Sequence, residues 1–397
     1  MDKIDEVLIR GVEKIYPNRA ALEKVLRSGK KIRLYQGFDP SMANLHLGNT
    51  VGVLKLKQFQ NLGHEVIFLV GDFTGMIGDP TDKSSTRPQL TRKQVLKNCK
   101  NWKQQAEKIL NFGGKNPAKL LYNSRWLSKL SFAELLNLSR HLTYQQVIKR
   151  DMFKKRQKQG KDIFLHEFLY PLMQGYDSVA MNVDLEIGGS DQMFNMLVGR
   201  DLMRKIKRKE KFVLTTKLLV DSKGEKVGKT AGNALFLNAS ATDMYGGILS
   251  FPDEALVSAF ELLTRAPLQL IKEREKALSR RKIKPMDLKK ELAFEIVKMY
   301  HSAEAAKKAA EEFEKVFQKR GLPTTIPTFT CRAGEWPLAD LLVKAGLAES
   351  KAQAKRLIKQ GAVEINGKTI STADHQLRLK GKEIIRCGKR KFIKIKI

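Results

Sequence analysis

The sequence predicts an α/β protein: a parallel sheet comes first, an all-helical stretch second and a small α+β module last. Three observations carry this. Residues 31–38, 45–61 and 65–70 read as strand, helix and strand, which is a βαβ unit. The second of those strands, Glu65-Val-Ile-Phe-Leu-Val70, is almost continuously apolar, as a parallel strand covered on both faces must be. Residues 242–318 are helical in pattern throughout, and strands and short helices restart from Trp336, after a segment rich in proline and threonine.

In chain order, residues 4–15 and 20–26 read as two short helices separated by Pro17. Leu47, Val51, Leu54, Leu56 and Phe59 recur at steps of three to four residues and predict the helix over 45–61, which Gly63 ends. Residues 71–80 hold three glycines and two aspartates just after a buried strand, where open α/β sheets bind ligands. A polar loop over 81–88 carries Lys83 and Arg87. Helix is predicted over 91–110, strand over 119–123, and helices over 131–139 and 143–149. Residues 154–161, with five lysines and arginines, read as a basic surface turn. Helix 163–180 contains Pro171, which should kink it. Strand 183–187 leads into Gly188-Gly-Ser-Asp-Gln192, which opens another helix. Residues 212–220 are strand-like and lead to a loop rich in glycine and lysine. The segment 321–335 reads as a linker. Beyond it come a helix over 338–347 and a second over 351–359 with Ser350 as N-cap. Asn366-Gly367 signals a hairpin turn, and 383–397 alternates as strands with lysines on one face.

A chain of 397 residues with 42% hydrophobic content has ample material for several globular domains. Its apolar runs fall well short of the roughly 18 residues a membrane span needs. The start, Met1-Asp-Lys-Ile-Asp-Glu6, lacks the basic and apolar regions of a secretory signal, so a cytoplasmic protein with no membrane attachment is expected. Cys99, Cys331 and Cys387 are widely spaced, which argues against a zinc site or a disulfide framework and fits a reducing compartment. The net charge of +32 points to a polyanionic partner. The last 67 residues hold 16 Lys and Arg against 6 Asp and Glu, more than twice the charge density of the remainder.

Two constellations suggest chemistry. His46 and Asn49 stand three apart on the first turn of a helix, so they share a face. A helix start offers free N–H groups and positive dipole character, and two neutral donors there can hold phosphate oxygens. Tyr170, Gln174 and Asp177 fall at i, i+4 and i+7 on one helix face. A phenol, an amide and a carboxylate among apolar residues line a polar pocket or else waste buried hydrogen-bonding groups. Tyr35, at a strand end beside Gly37, is placed to face such a pocket.

His46-Leu-Gly-Asn49 followed far downstream by Lys226-Val-Gly-Lys-Thr230 resembles the paired HIGH and KMSKS signatures of class I aminoacyl-tRNA synthetases. The words between them narrow the resemblance to tyrosyl-tRNA synthetases of the bacterial type. That resemblance implies a Rossmann-like catalytic domain over 1–232, an α-helical anticodon-side domain over 233–320, and an S4-like RNA-binding domain over 336–397. It implies that L-tyrosine and ATP give tyrosyl-adenylate and pyrophosphate, and that tRNA(Tyr) then accepts the tyrosyl group. By the same resemblance Tyr170 and Gln174 hold the substrate's amino group, while Asp177 and Tyr35 hold its phenol hydroxyl. Asp39, Asp79 and Thr74 are placed around the amino group and the adenylate, with Gln192 near the adenylate and Asp191 in ribose contacts or packing. Gly37, Gly48 and Gly189 complete the nucleotide side.

Adenylate formation asks no proton transfer of the protein, so catalysis comes from positioning and from countering charge on the leaving group. The implied donors and cations are Ser41, His46, Asn49, Lys83, Arg87, Lys226, Lys229 and Thr230. The loops carrying the cations should close on ATP. ATP would arrive as its Mg2+ complex, with no prosthetic group and no metal held by the protein itself. The family also implies a homodimer. Three departures stand out: Asn49 replaces a second histidine, Gln36 stands where many relatives carry cysteine, and Val227 and Gly228 replace methionine and serine. A tryptophanyl-type synthetase and a catalytically inactive, synthetase-like RNA-binding protein remain as alternatives. So does another nucleotidyltransferase, although it would leave the C-terminal module unexplained.

Overall fold

A computed structural model describes residues 2–81, 89–221, 226–227, 234–315, 326–388 and 391–397. The chain forms two compact units, residues 1–306 and 307–397.

The first unit is built on a six-stranded sheet of β1 (Val12–Tyr16), β2 (Arg33–Phe38), β3 (Glu65–Val70), β4 (Lys119–Tyr122), β5 (Leu185–Gly189) and β6 (Phe212–Thr216). The spatial order is β1-β6-β5-β2-β3-β4. Strands β2 to β6 run parallel, and β1 is antiparallel to β6. From β2 the chain steps outward to β3 and β4, then returns to lay β5 on the other flank of β2. The winding therefore reverses between β2 and β5, and a crevice opens at their carboxyl ends. Leu34, Tyr35, Phe68, Leu185 and Val213 are fully or almost fully buried, consistent with a sheet covered on both faces.

Residues 12–16 correct the expected helix over 4–15. The helix is Lys3–Ile9, and the chain then turns at Gly11, whose φ of +61° favours glycine. Val12, Ile15 and Tyr16 are strand formers, and they pair with β6 at the sheet edge. Residues 154–161 are also corrected. A helix spans Asp151–Lys158, and its Arg156 is fully buried in a 2.6 Å ion pair with Glu167. Composition marked that stretch as surface, but one of its five cations is interior. The helical pattern at 91–110 resolves into Arg92–Cys99 and Trp102–Ala106. Pro171 lies inside the helix Leu165–Met181, which packs on the helix Met193–Lys207 where Gly175 meets Gly199. A Cβ on Gly175 would stand 3.2 Å from the Gly199 Cα, so the close approach requires small residues. Four helices, Ala241–Leu249, Leu256–Leu263, Leu268–Ser279 and Pro285–Tyr300, complete the unit.

The second unit has a five-stranded sheet, β10-β9-β12-β13-β7, and a two-stranded one, β11-β8. Its strands are β7 (Thr328–Thr330), β8 (Gly334–Pro337), β9 (Val363–Ile365), β10 (Lys368–Ile370), β11 (Gln376–Leu379), β12 (Ile384–Cys387) and β13 (Lys391–Lys396). Strand β7 and the start of β8 fall in the expected linker. The sequence there signals a break because of its prolines, yet Thr328 and Thr330 add to the sheet beside Lys394 and Lys396. Helices Leu338–Lys344 and Lys351–Lys359 cover a core that includes Leu341, Leu342, Ile358, Ile385 and Ile395. Ser350 caps the second helix by accepting from the Gln353 N–H. Asn366 and Gly367 both have positive φ, as the tight hairpin between β9 and β10 demands. In β13 the side chains of Ile393 and Ile395 are buried while Lys394 and Lys396 are exposed. Among the described residues no helix is long and apolar enough to cross a membrane.

Candidate active site

A cavity of about 230 Å³ opens at the carboxyl ends of β2 and β5. It brings together Tyr35, Thr74, Asp79, Tyr170, Gln174 and Asp177 on one side. Gly37, Asp39, Ser41, His46, Gly48 and Asn49 also line it, as do Gly189, Asp191, Gln192 and Lys226. Of the candidate residues, Lys83, Arg87, Lys229 and Thr230 lie outside the described residues.

The inner wall is a hydrogen-bonded lattice of buried polar groups. Asp177 accepts from Trp126 Nε1 at 2.7 Å and Asn123 Nδ2 at 3.3 Å. Burial pushes its carboxyl well above the usual carboxylate range, and those two donors pull the other way. Asn123 also donates to Thr74 Oγ1 at 3.0 Å, and Thr74 donates to Asp39 Oδ1 at 2.7 Å. The second Asp39 oxygen accepts from the Tyr170 hydroxyl at 2.7 Å. Burial, then the nearby Asp39 and Asp79, pushes the Tyr170 phenol up. Tyr35, on β2 and in register with Glu186 on β5, is fully buried, and its hydroxyl lies 2.9 Å from Ser178 Oγ. Gly71 must be glycine, since a Cβ there would stand 2.1 Å from Asp39 Oδ1 and 2.4 Å from Thr74 Oγ1.

The outer wall is made by loops and helix starts. His46 is the N-cap residue of Leu47–Asn61, and its N–H donates to Asn49 Oδ1 at 3.0 Å. That uses the Asn49 carbonyl and leaves its Nδ2 hydrogens as donors. Backbone bonds from Leu47 N to Leu235 O and from Leu237 N to Leu45 O, each 2.9 Å, pin this turn. Gln192 Nε2 donates to Asp79 at 2.6 Å, and Asp79 also accepts from Thr81. Lys226 is paired with Asp191 at 2.7 Å. An isolated antiparallel bridge pairs Val220 with Lys226.

Sequence reasoning missed Asn123, Trp126, Ser178, Glu186 and Lys211, whose side chains hold the inner-wall residues in place. Glu186 did carry a signal, as the one charged residue in β5. Lys211 carried none, because it stands among many lysines and arginines.

The fold and the cavity belong to a nucleotide-handling class, and the comparisons say which. Residues 27–318 match the family described as tRNA synthetases class I (W and Y), and 318–395 match a tyrosine–tRNA ligase SYY-like C-terminal domain. The tyrosine–tRNA ligase of Moorella thermoacetica is 42% identical over 393 residues, covering 98% of this chain and 94% of that protein. That of Thermotoga maritima is 41% identical, covering 98% and 96%. The chain belongs to the tyrosine–tRNA ligase family of class I synthetases. Its fold is shared with a C-terminally truncated mitochondrial tyrosyl-tRNA synthetase of Aspergillus nidulans: TM-score 0.66, 23% identity, 79% of this chain and 94% of that one. It is shared too with a tyrosyl-tRNA synthetase of Archaeoglobus fulgidus complexed with L-tyrosine: TM-score 0.62, 20% identity, 78% and 100% covered.

Proposed function

We propose that the protein activates L-tyrosine with ATP and transfers the tyrosyl group to tRNA(Tyr). The observation that carries this is convergence: the phenol, amide and carboxylate group and the helix-start donors line one cavity, although they are far apart in sequence. In the first step a tyrosine carboxylate oxygen attacks the α-phosphorus of ATP. The bond to the bridging oxygen breaks and pyrophosphate leaves. Asp177 and Tyr35 take the phenol hydroxyl, and Tyr170, Gln174 and Asp79 take the amino group, with Thr74 holding Asp39 at their edge. His46, Asn49 and Ser41 donate to phosphate and ribose oxygens, beside Gly37, Gly48, Gly189, Asp191 and Gln192. Lys226, with Lys83, Arg87, Lys229 and Thr230, counters charge on the leaving group, and Mg2+ enters with ATP.

We place domain boundaries at 232, 320 and 336, with the lysine-rich C-terminal unit as the RNA-binding part. A homodimer is supported by exposed apolar side chains concentrated between Phe132 and Leu165, including Leu136, Tyr144 and Phe164. A cytoplasmic setting is supported by three cysteines outside any disulfide and by a tRNA substrate.

Exchange of pyrophosphate into ATP, run with each of the twenty amino acids, tests the assignment. Tyrosine alone is expected to drive exchange. Exchange driven by tryptophan, or by none of them, overturns it.

A further inference from the structure

Behind the tyrosine side of the cavity lies a cluster that the roles above do not use. Lys211 and Glu186 form a fully buried ion pair at a short contact. Lys211 Nζ also donates to Ser178 Oγ at 2.8 Å. Ser178 in turn touches the Tyr35 hydroxyl at 2.9 Å and Glu186 Oε2 at 3.3 Å. Room for the ammonium comes from Gly199, where a Cβ would stand 2.7 Å from Lys211 Nζ and 3.0 Å from Ser178 Oγ.

The proton count and the distances favour one direction. An ammonium only donates and a carboxylate only accepts, so Ser178 accepts from Lys211 and has one proton to give. Its two possible acceptors are Tyr35 at 2.9 Å and Glu186 at 3.3 Å. The second separation lies outside the usual O–H···O range of about 2.5–3.0 Å. Glu186 already receives Lys211 and, at 3.1 Å, Gln174 Nε2. The shorter contact favours the Tyr35 oxygen as acceptor of the Ser178 proton, and the Tyr35 hydroxyl then donates to the nearby Glu186 carboxylate or, when tyrosine is bound, into the cavity.

We infer that Lys211 is a positioning residue for substrate choice. It orients a one-way chain from Lys211 to Ser178 to Tyr35, then to the hydroxyl of bound tyrosine and on to Asp177. Phenylalanine breaks the chain and leaves the Tyr35 hydroxyl and the Asp177 carboxylate without the partner that the substrate hydroxyl supplies. The Glu186 carboxylate also fixes the Gln174 amide, turning its NH2 away from the cavity and its oxygen toward an incoming ammonium. This inference rests on the tyrosine-activating reading of the site.

The test is the ratio of kcat/KM for tyrosine over phenylalanine in pyrophosphate exchange, a ratio that cancels any loss of folded enzyme. Y35F is the reference. S178A and the charge-balanced K211M/E186Q are each expected to lower the ratio about tenfold, the scale of one lost hydrogen bond. The loss should appear in KM for tyrosine, with KM for ATP within about twofold of the parent because its contacts are untouched. If both variants keep the parent ratio while Y35F lowers it, Tyr35 donates unaided and the inference is overturned. A fall in S178A alone overturns Lys211 as the origin of the chain. If Y35F also keeps the parent ratio, the phenol-side reading fails first and the inference falls with it. Should K211M/E186Q not fold, S178A together with K211Q/E186Q decides the outcome.

Discussion

The two ends of the cavity are built differently. At the tyrosine end Tyr35 stands on a strand and Tyr170, Gln174 and Asp177 stand on one long helix, and each is hydrogen-bonded to another side chain. Tyr35 meets Ser178, Asp177 meets Trp126 and Asn123, and Glu186 meets Lys211. At the nucleotide end Asp39, Ser41 and Lys226 lie outside strands and helices, and His46 and Asn49 stand at a helix start. Lys226 is 30% exposed, and its partner Asp191 is 16% exposed. The difference follows from the two tasks. Telling one aromatic amino acid from another needs fixed, dry polar groups whose unpaired state is costly. Releasing pyrophosphate needs cations that can let go, and loops provide that.

The largest effect that separates the ends should be on stability. Replacing Lys211 alone by methionine strands Glu186 in the interior and is expected to cost about 3–5 kcal/mol, read from the denaturant midpoint. Lys226→Ala removes a partly solvated pair and should cost no more than about 1 kcal/mol. Equal losses would erase the contrast. Activity should show the reverse pattern. Lys226→Ala is expected to slow adenylate formation about 10²-fold in single-turnover assays, with tyrosine affinity unchanged. A matching loss of tyrosine affinity would mean that Lys226 also shapes the inner wall.

Between these lies Tyr170, whose hydroxyl joins the inner lattice to Asp39 at 2.7 Å. Tyr170→Phe is expected to weaken tyrosine binding by about 1.5–3 kcal/mol, the range for a hydrogen bond to a charged group. Equilibrium dialysis without ATP measures it. Unchanged affinity would remove Tyr170 from the recognition set.

How far the sequence reached divides along the same line. Periodicity located the βαβ unit, because β3 is apolar throughout and the helix Leu47–Asn61 repeats its apolar residues. The spacing of Tyr170, Gln174 and Asp177 alone puts three lining residues on one helix face. What stayed hidden was whatever depends on sheet order. Nothing local says that β5 returns beside β2, so nothing could place Glu186 opposite Tyr35. Charge also misled: Arg156 and Lys211 look like surface residues and are fully buried. In a chain with 74 lysines and arginines, composition cannot pick out the few that are interior. The strand at Val12–Tyr16 was lost because a short edge strand next to a helix offers too few residues to show its period.

The smallest and most discriminating effect is the pH response at Asp177. Burial raises its folded-state pKa above the unfolded value. Between those two values the folded protein holds a proton that the unfolded chain has already released. Stability of the free protein therefore falls as pH rises through that window. If Asp177 accepts the substrate hydroxyl as proposed, tyrosine binding runs the opposite way, and affinity should grow as the carboxylate ionises. Asp177→Asn is expected to flatten both slopes at once, with calorimetry following stability and dialysis following affinity. The Trp126 and Asn123 donors pull the other way, and burial outweighs them. If affinity keeps its pH slope in the Asn variant, another group at the tyrosine end carries the titration, and Glu186, which also faces Asp177, is the next to replace. If stability keeps its slope while affinity loses it, burial of Asp177 is not what strains the free protein. The rigid end of the cavity would then owe its order to the substrate rather than to its own lattice.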